Sequence, residues 1–157
     1  EYLSKINKLK KLIPDISITT DIIVAFPGET EEQFQDTIKL VHEVEYDGAY
    51  TFIYSQREGT PAAKLPLEFT EEEKHARLNA LNEIINEYSY KGHLRFEGKI
   101  VEVLLEGPSK NNPNIWTGYT KQNMLVNFIA NDKEVHIGDL VNVKITKAYS
   151  WHLFGEL

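Results

Sequence analysis

The hydrophobic period changes near Gly98, so no single regular architecture suits both parts of the chain. Upstream, apolar residues recur at helical spacing or in short continuous runs. Tyr2, Ile6, Leu9 and Ile13 share one helical face until Pro14 stops the pattern. Residues 16–26 are β-branched and nearly continuous in apolar character from Ile22 onward, which predicts a strand covered on both faces, closed by the Pro27-Gly28 turn. Thr30 and Gln33 have capping-box spacing, and Phe34, Ile38, Val41 and Val44 line the helix they introduce, over about residues 31–45. Asp47-Gly48 breaks that helix before an aromatic-rich strand at residues 49–54. The order helix, strand, helix, strand predicts parallel pairing.

Residues 55–69 contain Gly59, Pro61 and Pro66 without a sustained period and read as a surface loop. Thr70 and Glu73 then open a long helix marked by Leu78, Leu81, Ile85 and Tyr88, which the Lys91-Gly92 pair is expected to end. Beyond Gly98 the period is two. Val101, Val103 and Leu105 alternate with Glu102, Leu104 and Glu106, and Val141, Val143 and Ile145 repeat the pattern after Gly138-Asp139. Short strands within residues 118–128 and 150–157 bring the total to about five, enough to close a small barrel of the OB-like kind.

Composition narrows what such a chain can do. Its net charge of -7 excludes a uniformly basic nucleic-acid binder, so any RNA contact needs a local patch. Residues 1–95 carry 11 basic and 17 acidic side chains, whereas residues 96–157 carry 6 and 7, so the acidity is concentrated upstream. The absence of cysteine excludes disulfides and thiolate-held clusters within these residues. The longest apolar run, Ile22 to Phe26, falls far short of the roughly 20 residues of a membrane span. His42, His75, His93, His136 and His152 show no metal-ligand spacing. The chain begins Glu1-Tyr2-Leu3-Ser4 without an initiator methionine or signal-peptide pattern and reads as a piece of a longer protein.

Three stretches resemble one family, in order. Residues 19–30, Thr-Thr-Asp-Ile-Ile-Val-Ala-Phe-Pro-Gly-Glu-Thr, resemble the strand and turn near the end of the catalytic barrel of radical-SAM methylthiotransferases. Residues 54–63, Tyr-Ser-Gln-Arg-Glu-Gly-Thr-Pro-Ala-Ala, resemble the segment after that barrel's last strand. Val103 to Lys110, Thr117 to Thr120, and the segments 138–141 and 153–156 together resemble a TRAM domain. Within the family, Arg57, Asn123 and Asn127 are similar to the branch acting on N6-dimethylallyladenosine in tRNA.

The resemblance implies an α/β plus all-β chain: a partial radical-SAM (β/α) barrel over residues 1–69, a connecting helix over 70–92, and a five-stranded OB-like TRAM β-barrel over 93–157. The parent enzyme is implied to use S-adenosylmethionine and two 4Fe-4S clusters, whose cysteines would lie in a missing N-terminal half. Cofactor contacts carried over by resemblance are Asp21, Ile23, Ala25 and Gly28 on the strand and turn, and Tyr54, Ser55 and Arg57 beyond the second strand. The family usually has glycine at the place of Ala25. Arg57 is suited to a carboxylate or a tRNA phosphate, or to a salt bridge with Glu58.

For the barrel, the RNA candidates are Lys110, Lys121, Asn123, Lys147 and Trp151, with Lys144 as a further phosphate contact. Trp116, Tyr119 and Phe128 are candidates either for stacking bases or for filling so small a core. The expected partner is a tRNA anticodon stem-loop, in the cytoplasm and without a membrane. A fragment inactive by itself is the expectation. The rival reading is a non-catalytic RNA-binding module; a free-standing small-molecule domain would leave the second half without a role.

Overall fold

The computed structural model describes residues 1–110, 112–131 and 133–157. Its elements are α1 (Tyr2–Leu12), β1 (Thr19–Val24), α2 (Glu31–Val44), β2 (Gly48–Ile53), α3 (Glu71–Leu94), β3 (Ile100–Pro108), β4 (Trp116–Thr120), β5 (Leu125–Ile129), β6 (Leu140–Ala148) and β7 (Leu153–Glu156). One compact unit is Ile18–Tyr88; the other combines Glu1–Ser17 with Ser89–Leu157. Helix α3 contributes residues to both.

In the first unit β1 and β2 pair in parallel, from Thr19 opposite Gly48 to Val24 opposite Ile53. Successive side chains alternate between faces, so Thr20, Ile22 and Val24 share one face with Ala49, Thr51 and Ile53. This face is the covered one. Val24 is fully buried, as are Val41, Val44, Leu81 and Ile85 of α2 and α3, and Thr51 Oγ1 donates to Asn82 Oδ1 of α3 at 2.5 Å. Ahead of β1, the Ile18 amide donates to the Asp47 carboxylate at 2.8 Å. The Thr30 capping box forms as its spacing predicts.

The opposite face departs from the expected strand. Ile23, Tyr50 and Phe52 are 53%, 71% and 52% exposed, so the pair is covered on one face rather than two. The strand is also shorter than residues 16–26. It stops at Val24 because Ala25 adopts φ +56, a left-handed conformation that breaks the extended run. Between β2 and α3 the expected loop contains a short 3-10 turn, Pro61–Lys64.

Nor does Lys91-Gly92 end the long helix: α3 continues to Leu94. An interior glycine costs only about 1 kcal/mol, and the last turns are anchored on their buried side. Ser89 donates its hydroxyl to the Ser150 carbonyl, while His93, 6% exposed, has its Nδ1 2.7 Å from the Ser89 carbonyl oxygen.

The second unit contains a closed five-stranded barrel in the order β3-β4-β5-β7-β6. All neighbours are antiparallel except β5 and β7, which run parallel. The period-two positions point inward as expected: Val103, Leu105, Val143 and Ile145 are buried with Val126, Phe128 and Leu153. Hairpins β3-β4 and β6-β7 share a construction. Each has a register irregularity, between Leu105 and Gly107 in one and between Ile145 and Lys147 in the other. Each also has a glycine at the tightest strand contact. A Cβ on Gly118 would run into the Leu104 carbonyl, and one on Gly155 into the Lys144 carbonyl. Only residues without side chains permit that approach.

Candidate functional site

Two sets of residues singled out from the sequence fall in the two units. In the α/β unit they gather at the C-terminal ends of the parallel strands, the edge where such sheets carry loops for ligands. The Tyr54 amide donates to the Val24 carbonyl at 2.9 Å, continuing the pairing one step past β2. Phe26 and Tyr54 meet edge to face at 4.9 Å. Gly28, at φ +80, completes a turn in which the Glu29 amide donates to the Phe26 carbonyl at 2.8 Å.

Ala25 is held from below. Its amide donates to Glu29 Oε2 at 2.9 Å, and Arg77 Nη1 reaches that same oxygen at 2.5 Å, with both side chains 12% exposed. The Arg77 guanidinium also lies over the rings of Phe34 and Phe69, at 5.1 and 4.6 Å. The positive φ of Ala25 explains why glycine suits this place, since a Cβ is disfavoured there. Sequence reasoning missed Arg77, because nothing in local spacing links residues 48 apart.

Asp21 and Ile23 lie lower on β1, on the open face opposite Tyr50 and Phe52. Ser55 and Arg57 are exposed in the segment after β2. Thr60 Oγ1 donates to the Arg57 carbonyl at 2.8 Å, and no ion pair between Arg57 and Glu58 occurs among the described residues. The Tyr54 hydroxyl is buried without a hydrogen-bond partner among them. The alternation through residues 49–54 carried the signal for Tyr50 and Phe52, which the sequence reading did not select.

The barrel separates its candidates by end. Strands β5 and β7 run parallel with Val126 opposite Leu153, so the turns leading into them, β4-β5 and β6-β7, lie at the same end. Lys121 and Asn123 occupy the first of these turns, and Trp151 occupies the second, with Lys147 just ahead of it. Lys99 joins them, since the Ile145 amide donates to its carbonyl at 2.8 Å. Lys110 does not belong to this group. It follows β3 at the other end, with Lys133, Glu134, His136 and Asp139 in the β5-β6 connection. Among the described residues the turn end is lysine-rich and the far end carries Glu106, Glu134, Asp139 and Glu156 near its strand termini.

Both turns are pinned. Thr120, 5% exposed, accepts the Gln122 and Met124 amides on its Oγ1, each at 3.2 Å. Asn123 takes φ +61, a conformation asparagine tolerates better than most residues. In the other turn the Tyr149 amide donates to the His152 carbonyl at 2.9 Å, and their rings stack at 4.6 Å and 14°. Lys147 Nζ lies 5.0 Å from the Tyr149 ring centre, and Trp151 is 56% exposed. Burial, followed by the charge of His93, lowers the His152 pKa and favours a neutral ring. Tyr149 and His152 were absent from the candidates; their closeness to Ser150 and Trp151 was the available signal.

The other aromatic candidates divide differently. Phe128 is fully buried and Trp116 packs against the core, while Tyr119 is half-buried and Asn127 lies mid-strand opposite Thr117. Among the described residues no group of three histidine or acidic side chains could hold a metal, and no helix is long and apolar enough to cross a membrane.

This barrel, with its paired bulges and basic turn end, has a defined class: residues 94–157 match the TRAM domain family. Over its full length the chain is similar to part of several curated tRNA-2-methylthio-N(6)-dimethylallyladenosine synthases. It is 57% identical over 157 residues to the tRNA-2-methylthio-N(6)-dimethylallyladenosine synthase of Bacillus cytotoxicus, covering 100% of this chain and 30% of the relative. The proteins of the same name from Bacillus licheniformis and Geobacillus thermodenitrificans are 56% and 53% identical, over 99% and 100% of this chain and 30% of each relative. The chain thus spans about a third of the length of the curated relatives it matches.

Proposed function

We propose that this chain is the C-terminal part of a radical-SAM enzyme that methylthiolates C2 of N6-dimethylallyladenosine in a tRNA anticodon loop. In this reading the barrel's turn end holds the anticodon stem-loop, and residues 1–69 supply the end of the catalytic barrel, with 70–92 connecting them. Lys121 and Lys147 contact phosphates, Asn123 offers an amide to a base or sugar, and Trp151 stacks on an unpaired base. Lys110, which follows β3 at the far end, is the weakest of the RNA-contact candidates. The observation that carries the reading is the convergence of Lys121 and Lys147 with exposed Trp151 on one end of the TRAM barrel, in a chain whose net charge is -7. A cytoplasmic location follows from a tRNA substrate.

The catalytic group fits the chain in part. S-adenosylmethionine, when bound, supplies the radical that activates the adenosine carbon for methylthiolation. On this chain, Ile23 and the Ala25 turn are suited to the adenine, and the Arg57 guanidinium to the carboxylate, with Asp21, Gly28, Tyr54 and Ser55 around them. The 4Fe-4S clusters do not fit: the sequence contains no thiolate. Their ligands belong to the remainder of the enzyme, and the fragment alone is expected to be inactive.

The test is made in the full-length enzyme. Trp151→Ala and Lys121→Ala are expected to weaken binding of the anticodon stem-loop and slow tRNA methylthiolation, with S-adenosylmethionine cleavage retained; each stacked base is worth about 1–3 kcal/mol. Arg57→Ala is expected to do the converse, weakening S-adenosylmethionine binding with stem-loop affinity retained. Unchanged stem-loop affinity in both barrel variants would remove that end from the RNA site.

A further inference from the structure

Beside the β4-β5 turn lies a cleft of about 540 Å³ that the RNA-contact residues only partly account for. One wall is the segment after α1, with Ile13, Asp15 and Ile16; the other is the turn itself, with Lys121 and Asn123. All of these residues belong to one compact unit. The size falls in the range of roughly 300–1,000 Å³ that takes a small organic group. The cleft is also built rather than incidental. The Ile16 amide donates to the Ile13 carbonyl at 3.0 Å, closing the segment into a turn. Arg95 Nη2 donates to the Ile16 carbonyl at 3.2 Å, tying that turn to the residues that lead into the barrel.

We propose that this cleft receives one unstacked nucleobase of the RNA held at the barrel's turn end, an inference that rests on the RNA-binding reading of that end. Ile13, 50% exposed, presents an apolar surface suited to a base's π-face. Asp15 accepts hydrogen bonds from an exocyclic amino group, which favours adenine, cytosine or guanine over uracil. Asn123 is fixed by its turn and adds an amide that both donates and accepts. Lys121 is continuous with the phosphate-binding surface, so a base turned into the cleft leaves its own phosphate on the lysine side. A free anionic ligand fits less well, because Asp15 opposes the charge of Lys121.

The experiment measures binding of the 157-residue protein to RNA hairpins with an unpaired loop, each carrying an abasic site at one loop position. At one position the abasic change is expected to lower affinity about tenfold, in line with the loss of a stacked base. Ile13→Ala is expected to weaken the intact hairpin comparably and to abolish the penalty at that position alone, because both changes remove one contact. Asp15→Asn is expected to narrow the preference for amino-bearing bases there. A penalty from Ile13→Ala that is the same at every abasic position, or no penalty, overturns the subsite. Lys121→Ala with Lys147→Ala separates this from the wider reading: if those lysines weaken every hairpin while the abasic scan shows no coupling to Ile13, the subsite falls and the interface stands. If neither the lysines nor Ile13 matter, both fall.

Discussion

In the barrel every strand has two hydrogen-bonded neighbours, whereas β1 and β2 each have one. Inward side chains of the barrel such as Val103, Val143 and Phe128 are fully buried, while Tyr50 and Phe52 of the parallel pair stand open on one face. Closure removes the barrel's edges and uses its inward positions for packing, so contacts with a partner fall to its turns and outer surface. The parallel pair has the opposite economy. Its helix-facing side is packed, and its other face and its C-terminal edge remain exposed to a ligand or to further protein. The same chain therefore carries two kinds of surface, one defined by turns and one by strands.

The sharpest way to break this comparison is at the barrel's tightest contact. Gly118→Val places branched carbons against the Leu104 carbonyl and is expected to cost about 4 kcal/mol or more. Hydrogen exchange would show it as lost protection across β3 to β7, and wild-type protection would contradict the closed packing. In the α/β unit, Arg77→Ala leaves the Glu29 carboxylate, 12% exposed, without its cation and is expected to cost about 3 kcal/mol. Urea unfolding followed by a probe near β1 checks it; an unchanged midpoint would show that the pair does not hold the Ala25 turn.

A smaller effect concerns pH. His152 is less basic in the fold than the ordinary value of 6.5 because burial and then His93 disfavour its charge. The unfolded chain takes up the proton more readily, so barrel stability is highest above about 6.5 and falls as pH drops through the lower folded value. The groups facing it are His93 and Tyr149. Melting temperatures compared with His152→Phe between neutral and mildly acidic pH read this component, and an identical pH slope in both proteins would contradict it. Smallest of all, Phe52→Ser on the open face is expected to change the stability of this chain by no more than about 0.5 kcal/mol. A large loss in thermal or urea unfolding would mean that face is covered.

What the sequence revealed follows from how local each signal is. Thr30 with Gln33 and Thr70 with Glu73 announce helix starts because both partners lie within one turn, and both caps form. The alternation through Val103 and Leu105, and again through Val143 and Ile145, was sufficient for inward-facing strands. Other features depend on distant residues. Extension of α3 beyond Gly92 is supported by Ser89 reaching Ser150, and the end of β1 depends on a backbone angle at Ala25. The RNA candidates show the same divide. Residue type selected Lys110 alongside Lys121 and Lys147, but the antiparallel pairing of β3 with β4 places Lys110 at the end opposite Lys121, and the parallel pairing of β5 with β7 brings the turns of Lys121 and Trp151 to one end. Arg77 could not be chosen at all without the fold that brings it to Glu29.

The central claim is that RNA meets the barrel at its turn end. Binding of an anticodon stem-loop hairpin is measured across a salt series for two double variants, Lys121→Ala with Lys147→Ala, and Lys110→Ala with Lys133→Ala. If each turn-end lysine meets a phosphate, the first pair lowers affinity and reduces the slope of log affinity against log salt by about 0.7–0.9 per lysine. The second pair leaves the slope within error of the parent. Equal slopes for the two variants, or a larger change from the far-end pair, would contradict the assignment.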